Sequence, residues 1–241
     1  MGLIDPELLL RAYSIGVFPM ADSRDAAEVF WVEPRRRAIL PLDGFRLSRS
    51  LRKTLRSGGF EVTRDAAFEE VVRRCSERDE TWINAEIEKS YVRLHELGHA
   101  HSIECRRDGV LVGGLYGVTL GAAFFGESMF STRTDASKVA LAWLVARLKA
   151  GGFTLLDCQF MTDHLRSLGA VEISQEDYLA LLESALALGA PVPGAGDAAG
   201  RRARVAVDFG ALDALLPADA AGAVAAPASG CFISQLLGVT S

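Results

Sequence analysis

The chain has 241 residues, of which 49% are hydrophobic and 24% are charged, so it can bury one core, or one core plus a small appended module. The uncharged, glycine-rich stretch at residues 111–126 has 16 residues, fewer than the roughly 18 to 20 that a membrane-spanning helix needs. Four widely spaced cysteines without a C-x-x-C pair argue against a disulfide framework and a cysteine zinc site. Because the N-terminus has no secretory-signal pattern, we expect a cytoplasmic protein.

The net charge of −5 is distributed unevenly along the chain. Residues 172–241 contain 8 acidic and 3 basic residues, so residues 1–171 carry balanced charge. Within the balanced part, residues 35–56 hold eight Arg and Lys side chains against the single acid Asp43, a local excess of +7. Such a patch can neutralise several phosphates of a nucleic acid, although a solvated helix face is the commoner explanation of a basic run.

Residues 1–46 predict a small N-terminal domain. A short helix over residues 6–15 is followed by an irregular, charged stretch that reaches about Pro41. Ser48 is then placed to cap a helix over residues 49–56, because a serine side chain accepts a hydrogen bond from the first turn.

Residues 47–188 predict an α+β domain with a mostly antiparallel sheet. Further helices are predicted at 68–75, 87–94, 136–150, 163–167 and 175–187, and strands at 60–63, 101–106, 110–118, 122–130, 153–157 and 170–173. The strands between residues 101 and 130 form an antiparallel meander with a turn at Asp108-Gly109. Residues 189–241 are rich in Ala, Gly and Pro, which predicts a weakly ordered C-terminal tail.

A zinc-protease motif stands at His95-Glu96-Leu97-Gly98-His99, which matches H-E-x-x-H. The two histidines share a helix face only if the helix continues through Gly98, but a strand is predicted from about His101, so Gly98 is better interpreted as the end of the helix. The longer form of the motif also lacks its third ligand. A zinc metalloprotease is therefore the alternative hypothesis, and the chain has no G-x-S-x-G, Walker or G-x-G-x-x-G signature.

Glu127 is the one charged residue in the apolar segment 111–130. A carboxylate in such a setting loses solvation if it is buried, so it needs a partner or a function, unless it is an edge-strand glutamate that points at water. Asp157 and Gln159 end the strand after the 136–150 helix, and strand alternation sends them to the same face. If the two strands pair, two acids and an amide converge at one pocket.

Apolar side chains surround this constellation. The 136–150 helix supplies Leu141, Leu144 and Leu148, and the strands supply Met129 and Leu156. An apolar pocket beside hydrogen-bond acceptors suits a substrate that has an apolar side chain and an ammonium group. The alternative is that these leucines are ordinary core residues.

Several segments, in order along the chain, resemble the leucyl/phenylalanyl-tRNA-protein transferase family over about residues 7 to 182. They are residues 13–20 (YSIGVFPM), 48–53 (SRSLRK), 81–83 (TWI), 94–104, 111–118 (LVGGLYGV), 124–130 (FFGESMF), 136–138 (ASK) and 157–159 (DCQ). The resemblance implies an aminoacyltransferase that moves Leu or Phe, and also Met, from aminoacyl-tRNA to the N-terminal Arg or Lys of proteins, which marks them for degradation. It also implies a GNAT-like acyltransferase domain, a monomer, and no cofactor or metal, because an aminoacyl ester is already activated.

The resemblance also implies roles for individual residues. Asp157 and Gln159 would orient the incoming amine and draw off its proton, as a general base or as an orienter, and Glu127 would hold the positive end of the acceptor. The aminoacyl side chain would enter a pocket formed by Leu115, Met129, Leu141, Leu144, Leu148 and Leu156. For the tRNA, Trp31 and Trp82 are the candidates to stack on the terminal adenine, and Arg49, Arg52, Lys53 and Arg56 to contact phosphates.

Overall fold

The computed structural model describes residues 2–188, 207–216 and 227–238. The helices are α1 (Pro6–Ser14), α2 (Arg49–Arg56), α3 (Phe68–Ser76), α4 (Ala85–Glu96), α5 (Ala136–Ala150), α6 (Asp163–Ser167), α7 (Gln175–Leu188) and α8 (Pro227–Leu236). The strands are β1 (Phe18–Met20), β2 (Phe30–Val32), β3 (Arg36–Ile39), β4 (Glu61–Arg64), β5 (Ala100–Arg107), β6 (Val110–Leu120), β7 (Ala123–Ser131), β8 (Leu155–Gln159) and β9 (Val171–Ser174).

Side-chain caps fix the beginnings of several helices. Asp5 accepts hydrogen bonds from the first turn of α1, where Pro6 occupies a position that needs no donor. Ser48 Oγ accepts from the backbone N–H of Leu51 at 3.1 Å, which confirms the predicted start of α2. The predicted bounds of α5 and α6 are also confirmed: α5 ends before Gly151, and the Thr162 side chain caps α6 by accepting from the Leu165 N–H.

Seven strands form one sheet in the order β4-β5-β6-β7-β8-β3-β9, and β1 and β2 form a separate antiparallel pair. The antiparallel meander β5-β6-β7 is confirmed. The expectation of a mostly antiparallel sheet is corrected to a mixed sheet, because β7 and β8 run parallel in its middle. The reason is α5: its 15 residues carry the chain back along the sheet, so that β8 starts at the same edge as β7.

The N-terminal part contributes to this sheet in a way that the sequence did not indicate. β3 lies within the predicted domain of residues 1–46, yet it pairs with β8 on one side and with β9 on the other. Its sequence, Arg-Arg-Ala-Ile, lacks the alternation that predicts a strand. The division into residues 1–46, 47–188 and 189–241 stays a prediction.

Both faces of the sheet are covered. One face packs against α5, and the other carries the buried side chains of α3 and α4. α5 is buried almost all round, because it also contacts α2, α8 and a short 3-10 helix at Ala211–Leu215. None of the described helices is both long enough and apolar enough to cross a membrane.

Two segments of the predicted tail pack on the domain, so the expectation of weak order is wrong for them. Leu212 and Ile233 are fully buried in the same core as α5. The buried Arg147 donates from Nη1 to the Phe209 carbonyl at 2.9 Å and from Nη2 to Asp213 Oδ1 at 2.6 Å. The rest of the predicted tail lies outside the described residues.

Candidate active site

A cavity of about 400 Å³ opens where the parallel strands β7 and β8 separate. Their pairing ends at Phe125 and Asp157, and both strands continue beyond that point. The residues that follow on each strand, Gly126–Met129 and Cys158–Phe160, line the cavity. The splitting of two buried strands therefore creates the site, and we call it the central cavity.

A β-bulge determines the position of Glu127. Opposite β6, Ser128 pairs with Tyr116 and Gly126 pairs with Gly117, which leaves Glu127 as the extra residue. β7 is an interior strand, and Glu127 is only 7% exposed. The interpretation as a solvated edge glutamate is therefore wrong.

Three donors hold the Glu127 carboxylate. Tyr13 OH and Gln159 Nε2 donate to Oε1 at 2.8 and 2.9 Å, and Tyr91 OH donates to Oε2 at 2.7 Å. Burial, and to a smaller extent the nearby charge of Asp157, raise the pKa of Glu127 to about 7, although the three hydrogen bonds oppose the rise. Because each carboxylate oxygen has roughly two lone pairs, one lone pair of Oε2 accepts no hydrogen bond from the described residues.

Asp157 is fully buried, and donors fill both of its oxygens. Oδ1 accepts from Arg37 Nε at 2.9 Å and from the Gln159 backbone N–H at 2.8 Å. Oδ2 accepts from Arg37 Nη2 at 2.6 Å and from Tyr178 OH at 2.8 Å. Asp157 does not line the central cavity, so it lies behind the site that Gln159 and Glu127 face.

The structure corrects the prediction for Arg37. The sequence assigns this residue to the basic patch of residues 35–56, which could neutralise phosphates. Its guanidinium is fully buried and lies between the rings of Phe18 and Tyr178, 4.7 and 4.5 Å from their centroids. Nη1 also donates to the Gly16 carbonyl at 2.9 Å. A partner 120 residues away leaves no local signal that separates this arginine from its exposed neighbours.

Gln159 adopts a left-handed backbone conformation with φ of +61°, which is unusual for a residue other than glycine. The hydrogen bond from its backbone N–H to Asp157 stabilises this conformation. The same turn directs its amide to Glu127. Glu127 and Gln159 therefore meet at one cavity as predicted, whereas Asp157 lies behind it and reaches them only through Gln159.

The apolar wall of the central cavity contains most of the predicted side-chain pocket. Leu115, Met129, Leu141, Leu144 and Leu156 all line it. Leu148 does not, because it lies two turns beyond Leu141 on α5 and is fully buried in the core. Leu165 of α6 lines the cavity and had no sequence signal beyond its apolar character.

The candidate tRNA contacts are spread over the surface. Trp82 lines the central cavity, whereas Trp31 lies on β2, is 41% exposed and does not line it. The α2 residues Arg49, Arg52, Lys53 and Arg56 are exposed and are likewise outside the cavity wall. Arg56 Nε donates to Ser234 Oγ of α8 at 3.1 Å.

Three tyrosines belong to the site although the sequence does not indicate their role there. Tyr13 on α1 and Tyr91 on α4 hold Glu127, and their hydroxyl oxygens lie 2.6 Å apart. Tyr116 on β6 is fully buried and lines the central cavity, and its hydroxyl has no hydrogen-bond partner within the described part of the chain. Apolar periodicity identifies Tyr91 as a core residue, but nothing in the sequence marks these hydroxyls as polar contacts of a site.

The H-E-x-x-H segment has a structural explanation. α4 ends at Glu96, and Gly98 has φ of +80°, so the predicted helix end at Gly98 is confirmed. The ring of His95 stacks on Phe68 at 4.2 Å, and its Nδ1 contacts the Ala100 carbonyl at 2.8 Å. Within residues 2–188, 207–216 and 227–238, no three His, Cys, Asp or Glu side chains form a group that could hold a metal ion.

Known proteins share both the N-terminal part and the large sheet. Residues 39–183 match the family described as leucyl/phenylalanyl-tRNA protein transferase, and residues 2–35 match the N-terminal domain of that family. A leucyl/phenylalanyl-tRNA-protein transferase of Rhizorhabdus wittichii is 63% identical over 251 aligned positions that cover 100% of both chains. One of Novosphingobium aromaticivorans is 64% identical over 186 residues, covering 76% of this chain and 71% of the relative.

Among solved structures, a crystal structure of FemX matches with a TM-score of 0.49 and 13% identity, covering 69% of this chain and 66% of that chain. The family matches and the identity over the whole length show that this chain is an enzyme. The chain belongs to the leucyl/phenylalanyl-tRNA-protein transferase family.

Proposed function

We propose that the enzyme transfers leucine or phenylalanine, and also methionine, from aminoacyl-tRNA to the N-terminal Arg or Lys of acceptor proteins, which marks them for N-degron proteolysis. The observation that carries the proposal is the central cavity, in which an apolar wall faces the buried carboxylate of Glu127. The apolar wall suits the aminoacyl side chain, and the carboxylate suits the cationic acceptor.

The apolar wall accounts for the proposed choice of amino acid. Leu141 and Leu144 of α5 line the cavity together with Met129 of β7. The unbranched methionine side chain adapts to leucyl, phenylalanyl or methionyl groups, whereas a side chain branched at Cβ fits less well.

The reaction needs a neutral α-amine held near the ester carbonyl. An α-ammonium has a pKa of about 8, close to the pKa of about 7 of Glu127, so a proton passes between them at little cost. Glu127 lines the cavity and has a lone pair on Oε2 that accepts no hydrogen bond from the described residues, and we assign it to bind the acceptor ammonium and accept its proton. The amine then attacks the ester carbon, and the bond between that carbon and the tRNA oxygen breaks. The proton that the attacking nitrogen loses passes to this oxygen, which leaves as the tRNA hydroxyl.

Asp157 acts as a positioning residue in this proposal, the orienting role that the resemblance left open. Both of its oxygens already accept two hydrogen bonds, which leaves no lone pair for the substrate. It fixes the unusual backbone of Gln159, and Gln159 in turn orients Glu127.

The nucleic acid is proposed to meet two parts of the surface. Trp82 lies at the cavity and is suited to stack on the terminal adenine, a contact worth roughly 1 to 3 kcal/mol. The exposed cations of α2 are suited to contact phosphates farther along the tRNA. We further propose that the protein is a cytoplasmic monomer with a GNAT-like catalytic domain, in line with its free cysteines and its sheet with a central parallel pair.

A transfer assay tests the proposal. Labelled leucine should move from leucyl-tRNA to a protein with N-terminal arginine and not to the same protein with an acetylated N-terminus. Asp157→Ala should lose most of the rate, because Gln159 and Arg37 lose their shared partner. Activity that disappears with a chelator, or unchanged transfer by the variant, would contradict the proposal, and the former would favour the zinc protease.

Filling the apolar wall should change the amino-acid preference. In Leu144→Phe, phenylalanine transfer should fall at least about tenfold more than leucine transfer, because the larger substrate competes with the new ring. The measurement is kcat/KM for the two aminoacyl-tRNAs. Leu181→Phe, at an exposed position of α7, is the control and should leave the ratio unchanged. An equal loss for both substrates would place the side-chain pocket elsewhere.

A further inference from the structure

A second cavity, of about 490 Å³, adjoins the central cavity. The two share three lining residues, Arg78, Met129 and His164, so a ligand can occupy both at once. The lining of the second cavity is different in character, because cations and hydroxyls replace the leucines. Its polar side chains are Arg74, Glu77, Arg78, Ser131, Thr132, Ser137 and His164, so two cations and one anion line it.

The charge at the second cavity is positive. The exposed Arg78 stands at its junction with the central cavity, where it donates to the Met129 carbonyl. Arg74 packs over the ring of Phe130, 5.5 Å from its centroid, and donates to Glu77 Oε2 at 2.8 Å. Glu77 also binds Arg73 of the same helix, so its one negative charge is shared among several cations.

His164 adds a polar group without a partner. Its Nε2 is buried and makes no hydrogen bond within the described part of the chain. Burial and the nearby charge of Lys138 lower the pKa of His164, which keeps the imidazole neutral at pH 7. A neutral imidazole at this place is able to bind a sugar hydroxyl without adding charge.

We propose that the second cavity binds the sugar-phosphate backbone at the 3′ end of the donor, with Arg78 contacting the phosphate that precedes the terminal adenosine. This inference rests on the proposed function, in which the aminoacyl group occupies the central cavity. The ester joins that group directly to the terminal ribose, so the adjoining cavity meets the next groups of the donor. A cationic acceptor peptide is disfavoured there, because Arg74 and Arg78 repel it.

Two minimal donors test the contact: 3′-O-leucyl-adenosine and the same compound with a 5′-phosphate. The enzyme should prefer the phosphorylated donor by about tenfold or more in kcat/KM, since a hydrogen bond to a charged group contributes roughly 1.5 to 3 kcal/mol. In Arg78→Gln this preference should fall to about one. Arg73→Gln is the matched control, because Arg73 is an exposed arginine of the adjacent helix α3 and does not line the cavity.

The salt dependence of KM for leucyl-tRNA gives a second readout. Arg78→Gln should reduce the slope of log KM against log salt by about one, the value for one lost phosphate contact. If Arg78→Gln has the same slope as the wild type, and the wild type does not prefer the phosphorylated donor, this inference is wrong but the proposed function stands. If Arg78→Gln raises KM for the acceptor and not for the donor, the second cavity binds the acceptor peptide, and the inference is also wrong. Absence of transfer from leucyl-tRNA by the wild type overturns the proposed function as well.

Discussion

Replacing Arg37 with methionine is expected to lower the free energy of unfolding by about 3 to 5 kcal/mol and to abolish transfer, because it leaves the charge of Asp157 buried without its partner. The pair is fully buried, and the closest nitrogen-oxygen distance is 2.6 Å. Methionine keeps most of the volume between Phe18 and Tyr178, so the loss reports the charge more than a cavity. Chemical denaturation measures the stability, and the transfer assay measures the activity.

A double variant separates the ion pair from packing. Arg37→Met with Asp157→Leu should be more stable than Arg37→Met alone, since it removes both charges, yet it should stay inactive because Gln159 loses its backbone acceptor. Arg36→Met is the control: its pair with Glu172 is exposed and spans 3.4 Å, so its loss should cost about 1 kcal/mol at most. A similarly small loss in Arg37→Met would contradict a stabilising role for the buried ion pair.

Replacing Glu127 with glutamine should remove the ionisation near pH 7 that shapes the pH dependence of both the transfer rate and the free energy of unfolding. The wild-type rate should rise as the pH increases through about 7, because only the ionised carboxylate accepts a proton from the acceptor ammonium. Glu127→Gln should lose transfer by about a hundredfold or more, which is typical for a general base, and the rise near pH 7 should disappear. The pH dependence of kcat/KM for the acceptor measures both effects.

The stability of the wild-type protein depends on pH in the direction opposite to its rate: it falls as the pH rises through about 7. The folded pKa of Glu127 lies above its ordinary value of 4.5, so the folded protein holds the proton more tightly than the unfolded chain. The resulting stabilisation is complete below about pH 4.5 and is lost as the pH rises through about 7, a loss of about 3 kcal/mol by pH 8.

Glutamine should flatten this dependence without unfolding the protein. Its oxygen can accept from Tyr13 and Gln159, and its amide can donate to Tyr91, so the network keeps its shape. Ser128→Ala, next to the bulge, is a control that retains the carboxylate. A wild-type stability that does not change between pH 5 and 8 would contradict the raised pKa.

The sequence predicts those features of the fold that depend on neighbouring residues. The cap at Ser48, the turn at Asp108-Gly109 and the end of α4 at Gly98 are all set by the chemistry of a few adjacent residues, and all three are present. Glu127 was likewise recognisable, because a carboxylate in an apolar segment needs compensation.

Features that depend on distant pairing were not predictable in the same way. Nothing in the sequence of β3 distinguishes Arg37 from Arg36, since its burial depends on Asp157, 120 residues away. The bulge at Glu127 overrides the alternation from which side-chain directions are inferred. The parallel pair depends on the path of α5, and the burial of Leu212 and Ile233 depends on hydrophobic surface elsewhere in the molecule.

The two tyrosines on Glu127 have a consequence for how the enzyme is held together. Tyr13 comes from the N-terminal helix and Tyr91 from α4, so each proton that Glu127 gains or loses changes the strength of its bonds to two separate segments. Docking of α1 and ionisation of Glu127 are therefore thermodynamically linked: docking changes the free energy of ionisation by the same amount as ionisation changes the free energy of docking. The N-terminal helix thus responds directly to the charge state of the site.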